Sequence, residues 1–278
     1  MKISFKTSQQ ESTWDQILAV WQVADDIEVF HGGWLFDHFY PLFTEPSKPC
    51  MEAWSTAAAL AAMTTRLRIG HMVTSNTYRH PAVVANTIAT VDLISNGRLD
   101  FGFGAGWFED EHEAYGIPLP PLGERFDRFD EALEVIHQLL TKDKATFEGE
   151  HYQIRNAFCE PKPKQRPHPP FVVGGKGEKR LLRSAARWAD HYNYPGADLE
   201  DFRYRLDVLD RWCGELGRDR SEIETSLQIR VHDVGEAVAE AAAASEAGAD
   251  HVIFFLPPPP TVKIIERLGE ASVELVDA

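Results

Sequence analysis

Cysteine is scarce. Cys50, Cys159 and Cys213 lie far apart in a chain of 278 residues, with no CxxC spacing. Neither a disulfide framework nor a cysteine-built zinc site can be assembled from them, and they are expected to be reduced, ordinary thiols. Positive charge is scarce as well: 28 Lys and Arg stand against 43 Asp and Glu, a formal net charge of −15. A general nucleic-acid binder is thereby excluded, because phosphate neutralisation needs basic residues clustered over a broad face; any anionic ligand must be met by a local basic cluster. Long apolar runs are missing too. The longest strand-like one, Val252 to Leu256, is far short of the ~20 residues a bilayer requires. The start, MKISFKTSQQ, has no continuous apolar stretch of a secretory signal, so a cytoplasmic protein without a membrane partner is expected.

What is present is ordinary for a folded protein: 44% hydrophobic and 26% charged residues argue against disorder. Short β-like runs alternate with runs of helical period. KISFKTS is followed by WDQILAVWQVADD, with Ser12 and Asp15 as a capping box, and GWLFDHF by the alanine-rich MEAWSTAAALAAMTTR. LRIGHMVTS leads to a helix with Pro81 in its first turn and Asn96-Gly97 at its end, and LDFGFGAG to a helix over 124–141 whose apolar face is Phe126, Phe129, Leu133, Ile136 and Leu140. Residues 143–170 interrupt this rhythm with a small hairpin or extended excursion and a proline-rich connector. PFVVGG, YNYP, TSLQIRVH and DHVIFFLP then continue it, each followed by a helix. Eight strands alternating with eight helices over about 250 residues indicate an α/β chain, a (β/α)8 barrel forming a single domain over residues 1–278; a doubly wound sheet has the same local pattern.

In such a barrel, functional groups gather where strands end. Asp37 and His38 follow the second strand, Thr74 to Asn76 the third, Gly104 to Trp107 the fourth, Gly174 to Lys176 the fifth and Asn193 the sixth. Asp37 and His38 sit inside an aromatic and aliphatic run, where a buried polar pair requires bonding partners. FGFGAGW spaces its glycines as GxGxG rather than the dinucleotide GxGxxG, so Gly102, Gly104 and Gly106 are taken to admit a planar ring or another backbone at close range. VVGGKGEKR is a strand ending in glycines before a helix, with Lys176, Lys179 and Arg180 nearby, the best anion site in the chain. FEDEHEAYG lacks metal-ligand spacing and is expected to be a solvated acidic loop; no metal is expected anywhere. Neither GxSxG nor a Cys-His signature supports nucleophilic hydrolysis. His80, His137 and His251 are assigned no chemistry.

The ordered motifs KISFKTS, GWLFDHFYP, LRIGHMVTSNTYRHPAVVAN, ISNGRLDFGFGAGWFEDEHEAYG, GERFDRFDEALEVI, PFVVGGKGEKR and GADHVIFFL resemble, over nearly the whole chain, the bacterial luciferase-like superfamily, and within it the branch of coenzyme F420-dependent oxidoreductases. The resemblance implies a (β/α)8 barrel with a deazaflavin or flavin in its mouth and hydride transfer to or from a small-molecule substrate stacked on the ring. It implies that Asp37 and His38 contact the cofactor and handle a proton. His71, Met72 and Thr74 correspond to a strand-three bulge that often holds a non-proline cis peptide, expected here near His71-Met72. Gly104 and Gly106 match positions of close ring and phosphate approach; Arg125, Gly174, Gly175 and Lys176 look like phosphate contacts; Trp107, Asn76 and Asn193 would line the substrate pocket. One departure stands out. The sugar-phosphate dehydrogenases of the branch have a catalytic glutamate where this chain has Trp107, which puts sugar-phosphate oxidation in doubt; the tryptophan would form an aromatic wall or pack under the loop.

F420 is the expected cofactor, because its anionic tail is longer than that of FMN and suits Lys176, Lys179 and Arg180. The alternatives are an FMN-dependent monooxygenase using reduced flavin and oxygen, and a flavin- or deazaflavin-binding protein without turnover. A homodimer is expected from the base rate for soluble oligomers and from the resemblance.

Overall fold

Strand period two explains the architecture. In β1 (Lys2–Lys6), Ile3 and Phe5 pack into the layer between strands and helices, while Ser4 and Lys6 point into the lumen. The computed structural model, which describes residues 1–276, repeats this alternation around a closed barrel. After β1 come α1 (Trp14–Asp26), β2 (Phe30–Leu35), α2 (Ala53–Met63), β3 (Arg68–His71), β4 (Thr74–Ser75), α3 (Pro81–Ile94), β5 (Leu99–Gly104), α4 (Glu109–Tyr115) and α5 (Leu122–Thr141). The excursion is an antiparallel hairpin, β6 (Ala145–Glu148) with β7 (Gln153–Ala157). The chain then runs β8 (Phe171–Gly174), α6 (Leu181–Trp188), β9 (His191–Tyr194), α7 (Leu199–Leu216), β10 (Glu224–Arg230), α8 (Val234–Glu246), β11 (His251–Phe255), α9 (Val262–Ala271) and α10 (Val273–Val276).

All barrel pairings are parallel, in the order β3-β2-β1-β11-β10-β9-β8-β5-β4, and a β3–β5 pairing closes the ring. β3 and β4 are two pieces of one interrupted strand, so the barrel has eight. The main core lies between strands and helices; a smaller cluster of Trp34, Met72, Val172 and Ile253 fills the lumen. No helix among the described residues is long and apolar enough to cross a membrane.

Three local expectations are corrected. The first helix is capped by Thr13, whose hydroxyl accepts from Gln16 N while Gln16 closes the box, so Ser12 and Asp15 are not the capping pair. The non-proline cis peptide lies at Met72-Val73, one bond beyond His71-Met72. The acidic stretch after Trp107 is not a solvated loop: it forms α4, with three carboxylates in its first turn, where the helix dipole favours them, and Gly116 at φ 64° ending it.

The glycines of β5 answer to this interrupted strand. A Cβ on Gly102 would lie 1.7 Å from the His71 carbonyl oxygen, and one on Gly104 would lie 2.5 Å from Val73 Cγ2. Gly102 therefore admits a neighbouring backbone. Because that backbone cannot retreat without breaking the barrel pairing, Gly102→Ala is expected to destabilise the fold by about 3 kcal/mol. A urea midpoint equal to that of the wild type would refute this account of Gly102.

Candidate active site

The C-terminal ends of the strands enclose a cavity of about 240 Å³ lined by Asp37, His38, Met72, Ser75, Gly104, Gly106, Trp107, Gly174, Gly175, Asn193 and Gln228 among others. It adjoins a cleft of about 910 Å³ that shares His38, Met72, Trp107, Pro195 and Gln228 with it. His38 is buried at their junction. Its Nδ1 lies 2.8 Å from Glu111 Oε2, and its ring is packed edge-on by Trp107 and Phe108 and tilted against Phe36. Its Nε2 makes no hydrogen bond among the described residues.

Glu111 is the organising residue of this corner. Fully buried on α4, it accepts hydrogen bonds from the backbone N–H groups of Phe39 and Tyr40 (the latter 2.9 Å) and from the Tyr78 hydroxyl, besides His38. Burial pushes its carboxyl upward, but the bonds from His38 and Tyr78, the nearby His38 charge and the Phe39 amide outweigh burial and hold it below the ordinary range. A carboxylate acceptor keeps a proton on His38 Nδ1, which leaves Nε2 as the ring nitrogen able to take up or give up a proton.

Asp37 has a different task. Its carboxylate is bidentate with Arg79, at 2.7 and 3.0 Å, and accepts from Ser75 N at 3.0 Å. Arg79 also bonds Glu52 at the start of α2. Asp37 thus borders the cavity, but its charge is spent tying β2, β4 and α2 together. Beside it, Cys50 Sγ meets the His38 carbonyl at 3.4 Å; burial, with Glu111 and Asp37 close by, pushes this thiol up to about 12 and keeps it protonated.

The other expected residues divide. Met72, Gly104, Gly106, Gly174, Gly175, Trp107 and Asn193 converge on the cavity. Trp107 is 52% exposed and stacks with Phe43 at 6.2 Å, so it forms a wall and does not pack under the loop. His71 points the other way, against Trp54 of α2 at 4.4 Å, because strand alternation sends it outward between Gly70 and Met72. Thr74 and Asn76 are buried outside the cavity lining. Arg125 donates to the Gly106 carbonyl at 2.6 Å and so holds the glycine loop from behind.

The basic cluster is largely neutralised within the chain. Lys176 Nζ lies 2.8 Å from the Tyr194 hydroxyl and 3.1 Å from Asp201, and Arg180 pairs with Asp127 of α5. The Gly175 N–H is committed as well, donating to the Asn193 carbonyl at 3.1 Å.

The fold and site find their counterparts among known proteins. Residues 2–267 match the luciferase-like monooxygenase family. The chain belongs to that family. An F420-dependent glucose-6-phosphate dehydrogenase of Kineococcus radiotolerans is 31% identical over 237 residues, 83% of this chain and 68% of the relative; one of Microbacterium testaceum is 29% identical over 235 residues, with the same shares. Among solved structures, an F420-dependent secondary alcohol dehydrogenase in complex with an F420-acetone adduct superposes with a TM-score of 0.87 at 22% identity, over 97% of each chain. A monooxygenase from Streptomyces bottropensis superposes with a TM-score of 0.81 at 22% identity, over 100% of each. At that identity the superpositions establish the family's barrel in this chain.

Sequence reasoning missed Glu111, Arg79, Tyr78, Gln228 and Lys6. For Glu111 a signal existed: an acidic first turn followed by a glycine stop marks a short helix, and a helix can bury one of its acids. At the opposite end of the luciferase-like barrel, His191, Glu224 and His251 bring ligand-type atoms within 4.8 Å of one another. There His251 bridges Glu224 at 3.0 Å and Ser4 at 2.8 Å, a hydrogen-bonded barrel floor.

Proposed function

We propose that this member of the luciferase-like family is an oxidoreductase that takes coenzyme F420 into the mouth of the barrel and exchanges a hydride between it and a small organic substrate. The observation that carries the reading is His38, backed by the Glu111 carboxylate and open at Nε2, at the edge of a glycine-lined cavity. The cavity suits a planar ring: Gly104, Gly106, Gly174 and Gly175 project no side chains into it, and Asn193 and Ser75 add polar groups on its wall. When bound, the cofactor would supply the hydride chemistry. The chain would supply a proton site at His38 Nε2, an orientation for it through Glu111, and a water-excluding aromatic wall of Phe36, Trp107 and Phe108.

The names of the relatives support F420 over FMN. The basic cluster supports it less than its sequence implied, since Asp201 and Asp127 already satisfy Lys176 and Arg180. An FMN-dependent monooxygenase is therefore the second reading, favoured by that neutralisation and by the family itself. A side-by-side fluorescence titration with F420 and with FMN separates them. The expected result is preference for F420, with Lys176→Ala weakening it only a few-fold because the lysine is already paired and half exposed. Preference for FMN would move the protein to the monooxygenase reading; binding of neither would overturn both.

A further inference from the structure

Three neighbouring strands end at one level on the far side of the mouth from Gly174. Phe255 of β11 is in register with Lys6 of β1 on one side and with Arg230 of β10 on the other. All three residues line the larger cleft, together with His38 and Trp107. Lys6 Nζ stands 4.7 Å from the centre of the Phe255 ring, and the Arg230 guanidinium carbon 5.1 Å from it. A flat apolar surface is thus flanked by two cations.

Neither cation has a carboxylate partner among the described residues; Arg230 is exposed, and Lys6 is the buried one. Lys6 is 7% exposed, yet among the described residues its hydrogen bonds go to neutral acceptors, Gln228 Oε1 at 3.1 Å and the Met72 carbonyl at 3.4 Å. No carboxylate lies within 4.0 Å of Lys6 or Arg230 among the described residues. Of the acids on the cleft, Glu11 is held by Lys48, and Glu240 is exposed on α8. Elsewhere in this chain, with its formal charge of −15, three part-buried arginines meet carboxylates, Arg68 with Asp100 at 2.6 Å, Arg79 with Asp37 at 2.7 Å and Arg205 with Glu178 at 2.6 Å, while Arg98 and Arg125 are met by backbone carbonyls. A buried ammonium without a carboxylate is unfavourable, and a second cation nearby makes it more so. Burial, then the Arg230 charge, draws Lys6 down to about 7.

We infer that Lys6 and Arg230 form a substrate subsite for an anionic group, so that the substrate of the proposed reaction is a small organic acid whose carboxylate or phosphate is met by these two side chains while its reacting carbon extends toward His38. This rests on the reading of the mouth as the reaction site and adds the class of molecule taken there. Gly174 ends β8, which stands across the barrel from β1, so the glycine corner and the basic pair lie on opposite sides of the mouth. An anion at Lys6 would restore a charged ammonium and make charge-assisted hydrogen bonds to both side chains.

The test uses calorimetric titration of the full chain, with and without F420, by sodium benzoate, by its neutral counterpart benzamide and by inorganic phosphate. The wild type is expected to bind benzoate or phosphate at one site per chain and to discriminate benzoate from benzamide. Lys6→Met and Arg230→Met should each weaken the anion roughly 10- to 100-fold, with benzamide unaffected. F420 affinity should stay at the wild-type value in both variants. Absence of any anion site in the wild type, or anion binding indifferent to both substitutions, overturns the inference; so does a parallel loss of F420 affinity, which would assign these cations to the cofactor's own anionic tail. Should F420 fail to bind the wild type, the functional reading falls, while titration of the free chain still decides whether the anion subsite exists.

Discussion

Replacing His38 by alanine is expected to lower turnover by roughly 10²- to 10⁴-fold, the range ascribed to a positioned general acid or base. The geometry gives the reason. With Nδ1 bound to Glu111 at 2.8 Å, Nε2 is the only ring nitrogen free to hold or release a proton, and it sits where cavity and cleft meet. Aromatic rings on three sides limit the access of water that could take over the task. Steady-state kinetics beside the F420 titration checks this. Turnover should fall while cofactor affinity changes little, because the proposed seat of the ring is lined mainly by Gly104, Gly106, Gly174 and Gly175 with Met72 and Val73. Full turnover by His38→Ala with F420 normally bound would remove His38 from the mechanism.

The second large effect belongs to Glu111 and is divided between stability and rate. Glu111→Ala leaves the Phe39 and Tyr40 amides, the Tyr78 hydroxyl and His38 without their shared acceptor. Removing one partner of a buried, hydrogen-bonded charged network costs about 3–5 kcal/mol, and equilibrium unfolding in urea should show a loss of that order. The pH dependence has a definite direction. The Glu111 carboxyl is held below its ordinary value of 4.5 in the folded protein, so its stabilisation is complete above 4.5 and is lost as pH falls through the lower folded value. The stability difference between wild type and Glu111→Ala should therefore be full at neutral pH and shrink in acid. A difference that stays constant down to pH 3 would contradict the assigned hydrogen bonding. In the proposed reaction Glu111 acts through His38 as a positioning residue, so Glu111→Ala should lower kcat more than it raises KM.

Much of this was visible along the chain. The (β/α)8 alternation shows because β1 obeys period two, β11 is a short continuous apolar run and α5 obeys period 3.6. Pro81 at the start of α3 and the glycines of β5 show because backbone geometry leaves few residue types able to serve there. His38 shows because a polar pair in an aromatic run demands an explanation. Other signals misled for a single reason: they concern pairing. Four carboxylates after Trp107 have the composition of a solvated loop, and only the packing of α4 against the loop after β2 shows that one of them is buried among four donors. Lys176 and Arg180 have the composition of a phosphate site, yet α7 and α5 bring Asp201 and Asp127 to them. Asp37 stands next to His38 in sequence and does different work, because Arg79 reaches it from beyond β4.

The sequence by itself determined the succession of strands and helices, the places where only glycine or proline fits, the absence of a broad basic face and the candidates at the strand ends. These follow from local sterics and short-range periodicity, which a chain carries in its order of residues. The tertiary structure alone decided which acid meets which base: His38 with Glu111, Asp37 with Arg79, Lys176 with Asp201, and Lys6 beside Arg230 with no carboxylate within 4.0 Å among the described residues. Such pairings join residues far apart in the chain, and their energies depend on burial and on distances of a few ångströms that only the closed barrel sets.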